Sequence, residues 1–447
     1  MNKLLSNFTI SGISSSLFSI YLRLKDLFTR LDLKMILMVI ILAVVLVIMA
    51  LVFATIFRRA SRSKQYKILD RHREFFSKKI SEYLESGNDS NIIEELASPP
   101  NSVKWHAIQE ILLELSATGK HRENLKSIFM GIGYVDYYEK KLSARNNITK
   151  ASAIDKLGKM QCERSTDKLI PLLKDENPEI VSVTVRSLSK IGSPAGLRGI
   201  LEEIPNLLSR SLVTVKTIET SVPNFGPASI PLLIEYGEKY HGPMCKALIL
   251  EMLSASGSSE AIPLALSHLN HQDPEVRSKA LKVIGAAGNG LEDSLITQAA
   301  ALLSDPVWFV RLQAAKALGK LRYEKAIERL GDTLLDKNWQ VRNAAAMALT
   351  KFGNRSLHIF LGTLLYKDRY AKESICEEIQ RTDFIDVLFE NMNAKDVCVY
   401  KKSKQILEIM KSLSYCTPFL EYLKTGTNEK IKYELEIILS QEQPPHI

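Results

Sequence analysis

Cysteine is scarce and shows no pairing pattern. Cys162, Cys245, Cys376, Cys398 and Cys416 are five in number, widely spaced, and form no CxxC. An odd, scattered set excludes a disulfide framework and a zinc module, and it fits a reducing compartment. Tryptophan is rarer still, found only as Trp105, Trp308 and Trp339. The motifs of phosphate binding and nucleophilic catalysis are missing: no P-loop, no G-x-S-x-G, and no Cys/His set suggesting a nucleophile and its base. "GAAGNG" (285–290) has the glycines of a dinucleotide loop, yet it follows a helical pattern where that loop needs a strand. His268 and His271, with Asp273 nearby, have helical ligand spacing, but no second cluster accompanies them.

A basic folded body is also missing. The net charge of +9 belongs to the N-terminal end, because residues 1–80 hold fourteen Lys/Arg and four Asp/Glu. Residues 81–447 hold the remaining 45 basic and 46 acidic residues, a net of −1. A protein that tracks phosphates carries its charge on the folded body, so no nucleic-acid partner is expected.

What the N-terminal end has instead is one long apolar run. "MILMVIILAVVLVIMALVFATIF" (35–57) is 23 residues without a charge. As a helix it reaches roughly 34 Å, enough to cross a hydrocarbon core of about 30 Å. A cleaved signal peptide is the rival reading, but the run exceeds an h-region of about 7–15 residues, and no A-x-A-like site follows closely. Seven Lys/Arg lie within twenty residues after the run and four within twenty before it. That bias puts the C-terminal body on the cytoplasmic side of a cell membrane, with a single pass. Residues 1–34 include an amphipathic stretch, "LFSIYLRLKDLFTRLDLK", read either as an interfacial helix or as a tail leading into the span. Residues 58–80 form a basic juxtamembrane segment. Arg58, Arg59, Arg62, Lys64 and Lys67 would there meet anionic headgroups or serve as a topology signal alone.

The body repeats itself. "SDPVWFVRLQAAKALGKL" (304–321) returns 31 residues later as "LDKNWQVRNAAAMALTKF" (335–352). With Arg311 as a pivot, equivalents fall at Lys150, Val181, Val215, Lys246, Arg277, Arg342 and Lys372. Three residues after each pivot stand Ala153, Thr184, Ile218, Ile249, Ala280, Ala314, Ala345 and Ile375. Seven after stand Leu157, Leu188, Val222, Leu253, Ile284, Leu318, Leu349 and Ile379. Pivot, +3 and +7 share one helical face, and a second helical pattern precedes each, as in "YEKAIERLGDTLL" (323–335). A two-helix period of 30–34 residues predicts a solenoid, since one hairpin cannot bury its own apolar stripe.

"DPEVRSKALKVIG" (273–285) and "DPVWFVRLQAAKALG" (305–319) resemble HEAT repeats of the short, phycobilisome-lyase-like form. The tetratricopeptide pattern of Trp, Gly, Tyr and Pro is missing. The resemblance implies an all-α chain: an α-solenoid of about eight HEAT-like helical hairpins (144–390), preceded by the transmembrane helix. Residues 81–143 and 391–447 are helical caps. Asp305, Arg311, Asp336 and Arg342 resemble an inter-repeat ladder, each pairing with a neighbouring unit or capping a helix start. Ala314, Ala317, Ala345 and Ala348 read as packing. Deoxyhypusine hydroxylase, an enzyme of similar architecture, carries His-Glu dipeptides for a di-iron centre; this chain has no His-Glu dipeptide. No cofactor or metal is therefore expected, and no lyase activity is carried over.

Trp308 and Trp339 stand one repeat apart at the start of a second helix, as an aromatic anchor for a partner or as rings filling gaps. Arg277, Arg311 and Arg342 accompany them in a basic stripe with Lys279, Lys282, Lys316, Lys320 and Lys351, read as a partner surface or as solvated faces. The expected function is a membrane-anchored scaffold that binds a protein or peptide on a long repetitive surface, without catalysis. A lyase-type enzyme, or an accessory subunit of a membrane enzyme complex, is the alternative.

Overall fold

The computed structural model describes residues 33–86, 91–288 and 291–440. Two compact units divide between Asn124 and Leu125. Every described element is an α-helix or a 3-10 turn, so the all-α class stands.

In the first unit, helix α1 runs unbroken from Leu33 to Ser86, 54 residues. No Gly or Pro interrupts it, so the apolar run and the basic segment share one rod of about 80 Å. Its Ile40–Arg59 part has a mean hydropathy of 3.2 and is 0% buried, making it one helix long and apolar enough to cross a membrane. Further on, Phe76, Ile80 and Leu84 are buried at four-residue intervals, the side of α1 that packs on α2 (Val103–Ala117). Trp105, Ile108 and Leu112 are buried on α2 in turn. Ser102 caps α2 after the Pro99-Pro100 break by accepting from the Trp105 amide at 3.1 Å. Arg58 and Arg59 are exposed. The interfacial-helix expectation for the segment before the span lies outside the described residues, as do the side chains of Arg62, Lys64 and Lys67.

The second unit is built on the second helices of its hairpins. These are α3 (Asn147–Met160), α4 (Pro178–Ile191), α5 (Val215–Ser221), α6 (Pro243–Ser256), α7 (Pro274–Ala286), α8 (Trp308–Leu321), α9 (Trp339–Thr350) and α10 (Arg369–Arg381). Each packs on the next. Pro223 stops α5 after seven residues and passes the chain into a 3-10 turn. Side-chain caps recur at the starts: Asn146, Asn177, Thr214, Asp273, Asn338 and Asp368 each accept from a first-turn amide. All of the +3 and +7 positions named above are 0% exposed, including those of the units whose pivots are Val181 and Val215. Beyond α10, α11 (Val397–Ser412) departs from the pattern and packs on the first helix of the preceding hairpin, Leu357–Leu365.

The close stacking needs small residues where helices touch. A Cβ added to Gly285 would lie 2.8 Å from the Ala317 Cα, and one on Gly319 would lie 2.7 Å from the Ala348 Cα. Two of the alanines read as packing residues, Ala317 and Ala348, are therefore the partners of glycines in the neighbouring helix.

Charge follows the same register. Arg277 donates from Nε and Nη2 to both carboxylate oxygens of Asp305, at 2.8 and 3.0 Å, across one repeat. Arg311 does the same to Asp336 at 2.6 and 2.9 Å. Each guanidinium also turns Nη1 back onto its own unit: Arg311 to the Asp305 and Pro306 carbonyls, Arg342 to those of Asp336 and Lys337. The Asp-to-Arg spacing of six residues is what lets that arginine reach back. The aspartate meanwhile accepts from its own turn, with Val307 N on Asp305 and Asn338 N on Asp336, both at 2.8 Å. Lys150 and Asp175 form a lysine version at 2.5 Å. Arg342 ends the series: no carboxylate follows in register, Asp368 caps α10, and the Tyr370 ring covers the guanidinium at 5.6 Å. Burial pushes the Asp336 carboxyl up, but its bonds to Arg311 and to the Asn338 amide outweigh this and hold it below its ordinary range.

A further buried carboxylate had no signal in the sequence. Glu139 accepts from Ser165 at 2.9 Å and Arg164 at 3.0 Å and pairs with Lys168. Burial raises it, and these three partners together bring it below the ordinary range.

Three expectations follow. Gly319→Ala forces α8 and α9 apart and costs about 1–3 kcal/mol in denaturant melting of the full chain. Gly362→Ala, helical with nothing within 4 Å of its added Cβ, is neutral or stabilising by up to about 1 kcal/mol. Asp336→Asn costs about 2–3 kcal/mol at neutral pH by stranding Arg311. A carboxyl held low in the folded state contributes stability above its unfolded pKa, lost as pH falls through the folded one. Wild type therefore loses this contribution below about pH 4, and melting curves of the two proteins converge on acidification.

Candidate functional site

Two surfaces on the C-terminal half of the second unit are built by the register just described. The first is an edge at the starts of α8, α9 and α10. Trp308 is the first residue of α8 and Trp339 the first of α9, and their rings are 40% and 60% exposed. Both therefore remain accessible, and Trp308 meets Phe309 edge-on at 5.8 Å. The row goes further than the two tryptophans. Tyr370, 31 residues past Trp339, is 66% exposed at the start of α10. Leu335 and Tyr366, each four residues ahead of a ring in this row, are exposed as well. The 31-residue spacing from Trp308 to Trp339 to Tyr370 was the available signal for the third member. The change of residue type hid it.

Arg277, Arg311 and Arg342 do not extend this edge. Arg277 and Arg311 direct their donors to Asp305, Asp336 and turn carbonyls, and Arg342 is buried. The basic stripe read from the sequence thus separates into parts. Lys279 and Lys282 pair with Glu251 of α6. Lys316, Lys320 and Lys351 do neither and lie in the second surface.

That surface is a groove of about 700 Å³ across α7, α8 and α9. Leu281, Gly285, Ala317, Gly319, Met347 and Ala348 supply its apolar part. Lys282, Lys316, Lys320, Arg322 and Lys351 supply its charge, and none of its lining residues is acidic. Arg322 ends α8 in the left-handed region, at φ +48°.

The titratable groups elsewhere are held in place by packing. His268 stacks on His271 at 5.9 Å, faces Lys246 at 3.2 Å and bonds the Leu264 carbonyl at 2.8 Å. Burial pushes its pKa down. Asp273 caps α7. Burial raises the Cys376 thiol to about 12, leaving it protonated and inert at neutral pH. Among the described residues, no group of three or more His, Cys, Asp or Glu is placed to hold a metal ion.

Residues 138–204 and 296–380 match the family model of HEAT repeats. The chain aligns with the crystal structure of an engineered protein at 16% identity, covering 78% of this chain and 98% of that one, with a TM-score of 0.33. It aligns with Kap95p from a complex with RanGDP at 14% identity, covering 76% of this chain and 54% of that one, with a TM-score of 0.40. Human deoxyhypusine hydroxylase in complex with glycerol aligns at 17% identity, covering 69% and 97%, with a TM-score of 0.25. The chain spans about half the length of Kap95p. No curated protein matches it. The matched segments, 138–204 and 296–380, are HEAT repeats, and second helices that bury the same two positions in every unit make the fold of the second unit an α-solenoid.

Proposed function

We propose that this chain is a non-catalytic scaffold, anchored in a cell membrane by α1, that docks a protein or peptide partner on the cytoplasmic side. The observation that carries the reading is the row of exposed rings at Trp308, Trp339 and Tyr370. Trp308 and Trp339 are held out at the same register of successive helices, and Tyr370, one place further along its helix, stays exposed while its ring also covers Arg342. Their amphipathic rings are the residues that anchor interfaces at low entropic cost. A repetitive surface is itself suited to extended partners, and a membrane anchor raises the local concentration of whatever binds it. In this reading Asp305, Arg311, Asp336 and Arg342 keep the stack in register, and Arg58 and Arg59 sit at the headgroups. The same reading needs no cofactor and no nucleic acid.

Two outcomes are expected. The full chain stays in the membrane pellet after alkaline carbonate extraction, a variant lacking residues 36–57 is released, and a C-terminal tag is protected from protease until the cell membrane is opened. A photo-reactive residue at position 308 or 339 captures the same discrete partner in intact cells, and one at exposed Glu260 does not. Trp339→Ala then weakens that partner by about 30-fold, the effect of losing a hot-spot ring worth about 2 kcal/mol. Its melting temperature stays that of wild type, because the ring is largely outside the core.

A further inference from the structure

We propose that the groove across α7, α8 and α9 is a docking site for an acidic peptide segment of a protein partner. The inference does not rest on the aromatic edge. It starts from how this solenoid treats its surface cations. Lys190 pairs with Asp155, Lys325 with Asp293 and Arg355 with Glu324, each across one repeat. Cations without a carboxylate partner among the described residues occur elsewhere too, Arg186, Arg210 and Lys337 among them, but the groove gathers several round one recess. Lys282 has Glu251, but Lys316, Lys320, Arg322 and Lys351 have no carboxylate partner among the described residues. Like charges gathered round one recess repel one another, and an anionic occupant relieves that repulsion.

The arrangement selects the kind of anion. Lys316 and Lys320 are neighbours at i, i+4 on α8. Lys351 comes from the end of α9, one helix over, at an interaxial distance of roughly 8–10 Å. Positive charge is therefore spread along the groove. A row of carboxylates matches it, whereas a single phosphate does not. Between the cations the floor is apolar, formed by Gly285, Ala317, Gly319 and Ala348 where the helices approach most closely. A recess of about 700 Å³ lies within the 300–1,000 Å³ typical of ligand sites. It takes aliphatic or aromatic side chains of a peptide, and a flat bilayer surface does not reach its floor.

Arg322 adds an independent observation. It occupies the left-handed position that ends α8, which α4 and α6 fill with Gly192 and Gly257 and α3 with Gln161. Glycine suits that backbone better than any residue with a Cβ. The arginine places a guanidinium at the mouth of the groove despite that cost.

The test uses the full chain in phosphatidylcholine nanodiscs, panned with a phage-displayed library of random peptides. Expected are enriched peptides of net negative charge that also carry Leu, Phe or Trp. Their affinity falls about tenfold or more against Lys316→Gln/Lys320→Gln, and it is unchanged against Trp339→Ala. Arg322→Gly weakens the same peptides while its melting temperature holds or rises, which separates loss of binding from loss of fold. Failure of any peptide to enrich overturns the proposal. So do enriched peptides that are neutral or basic, and acidic ones that bind the double variant as well as wild type. Phosphatidylserine vesicles recruited through Lys316 and Lys320, with no acidic peptide enriched, would assign the groove to lipid and overturn it too.

Discussion

The solenoid depends on burial that no single hairpin provides. Each second helix carries a buried stripe three and seven residues after its pivot, and the neighbouring second helix is what covers it. Complete coverage requires the helices to come close, which explains glycine facing alanine at Gly285–Ala317 and Gly319–Ala348. Close stacking in turn brings the start of each helix near the turn of the next unit. There the Arg277–Asp305 and Arg311–Asp336 pairs find bidentate geometry. The ladder is thus a consequence of the hydrophobic stacking, and it adds register more than it adds attraction.

Much of this was legible in the sequence because it rests on periodicity. The +3 and +7 positions could be read from spacing alone, and they remain buried even in the units whose pivots are Val181 and Val215. The apolar run of α1 was equally legible, since composition and length are all a candidate span requires. What spacing could not supply was direction. It placed Arg277, Arg311, Lys316 and Lys351 in one basic stripe, although the arginines turn inward and two of the lysines line a groove. Direction within a helix depends on which neighbour comes near, and that is set by stacking.

Isolated buried charges were less legible still. Glu139 and its partners Arg164, Ser165 and Lys168 lie 25–29 residues apart, with no repeated counterpart to flag them. Tyr370 was missed for a related reason. It keeps the spacing of Trp308 and Trp339 but changes the side chain, and identity is the easier pattern to see. The sequence put α11 in the segment beyond the repeats, 391–447, but spacing gave no sign of which helix it would pack against.

Helix α1 carries a consequence of its own. Sixteen residues lie between Arg59, where the apolar segment ends, and Phe76, the first large buried side chain among those described on α1. With no Gly or Pro between them, that interval is roughly 25 Å of continuous helix, which in the anchored reading proposed above is a standoff rather than a tether. A standoff made of helix fixes angle as well as height. Removing one residue from it would lower α2 by about 1.5 Å and swing it through about 100°, whereas removing seven would lower it by about 10 Å and nearly restore its bearing. A flexible linker of the same length would be indifferent to such changes, and α1 makes them a matter of phase.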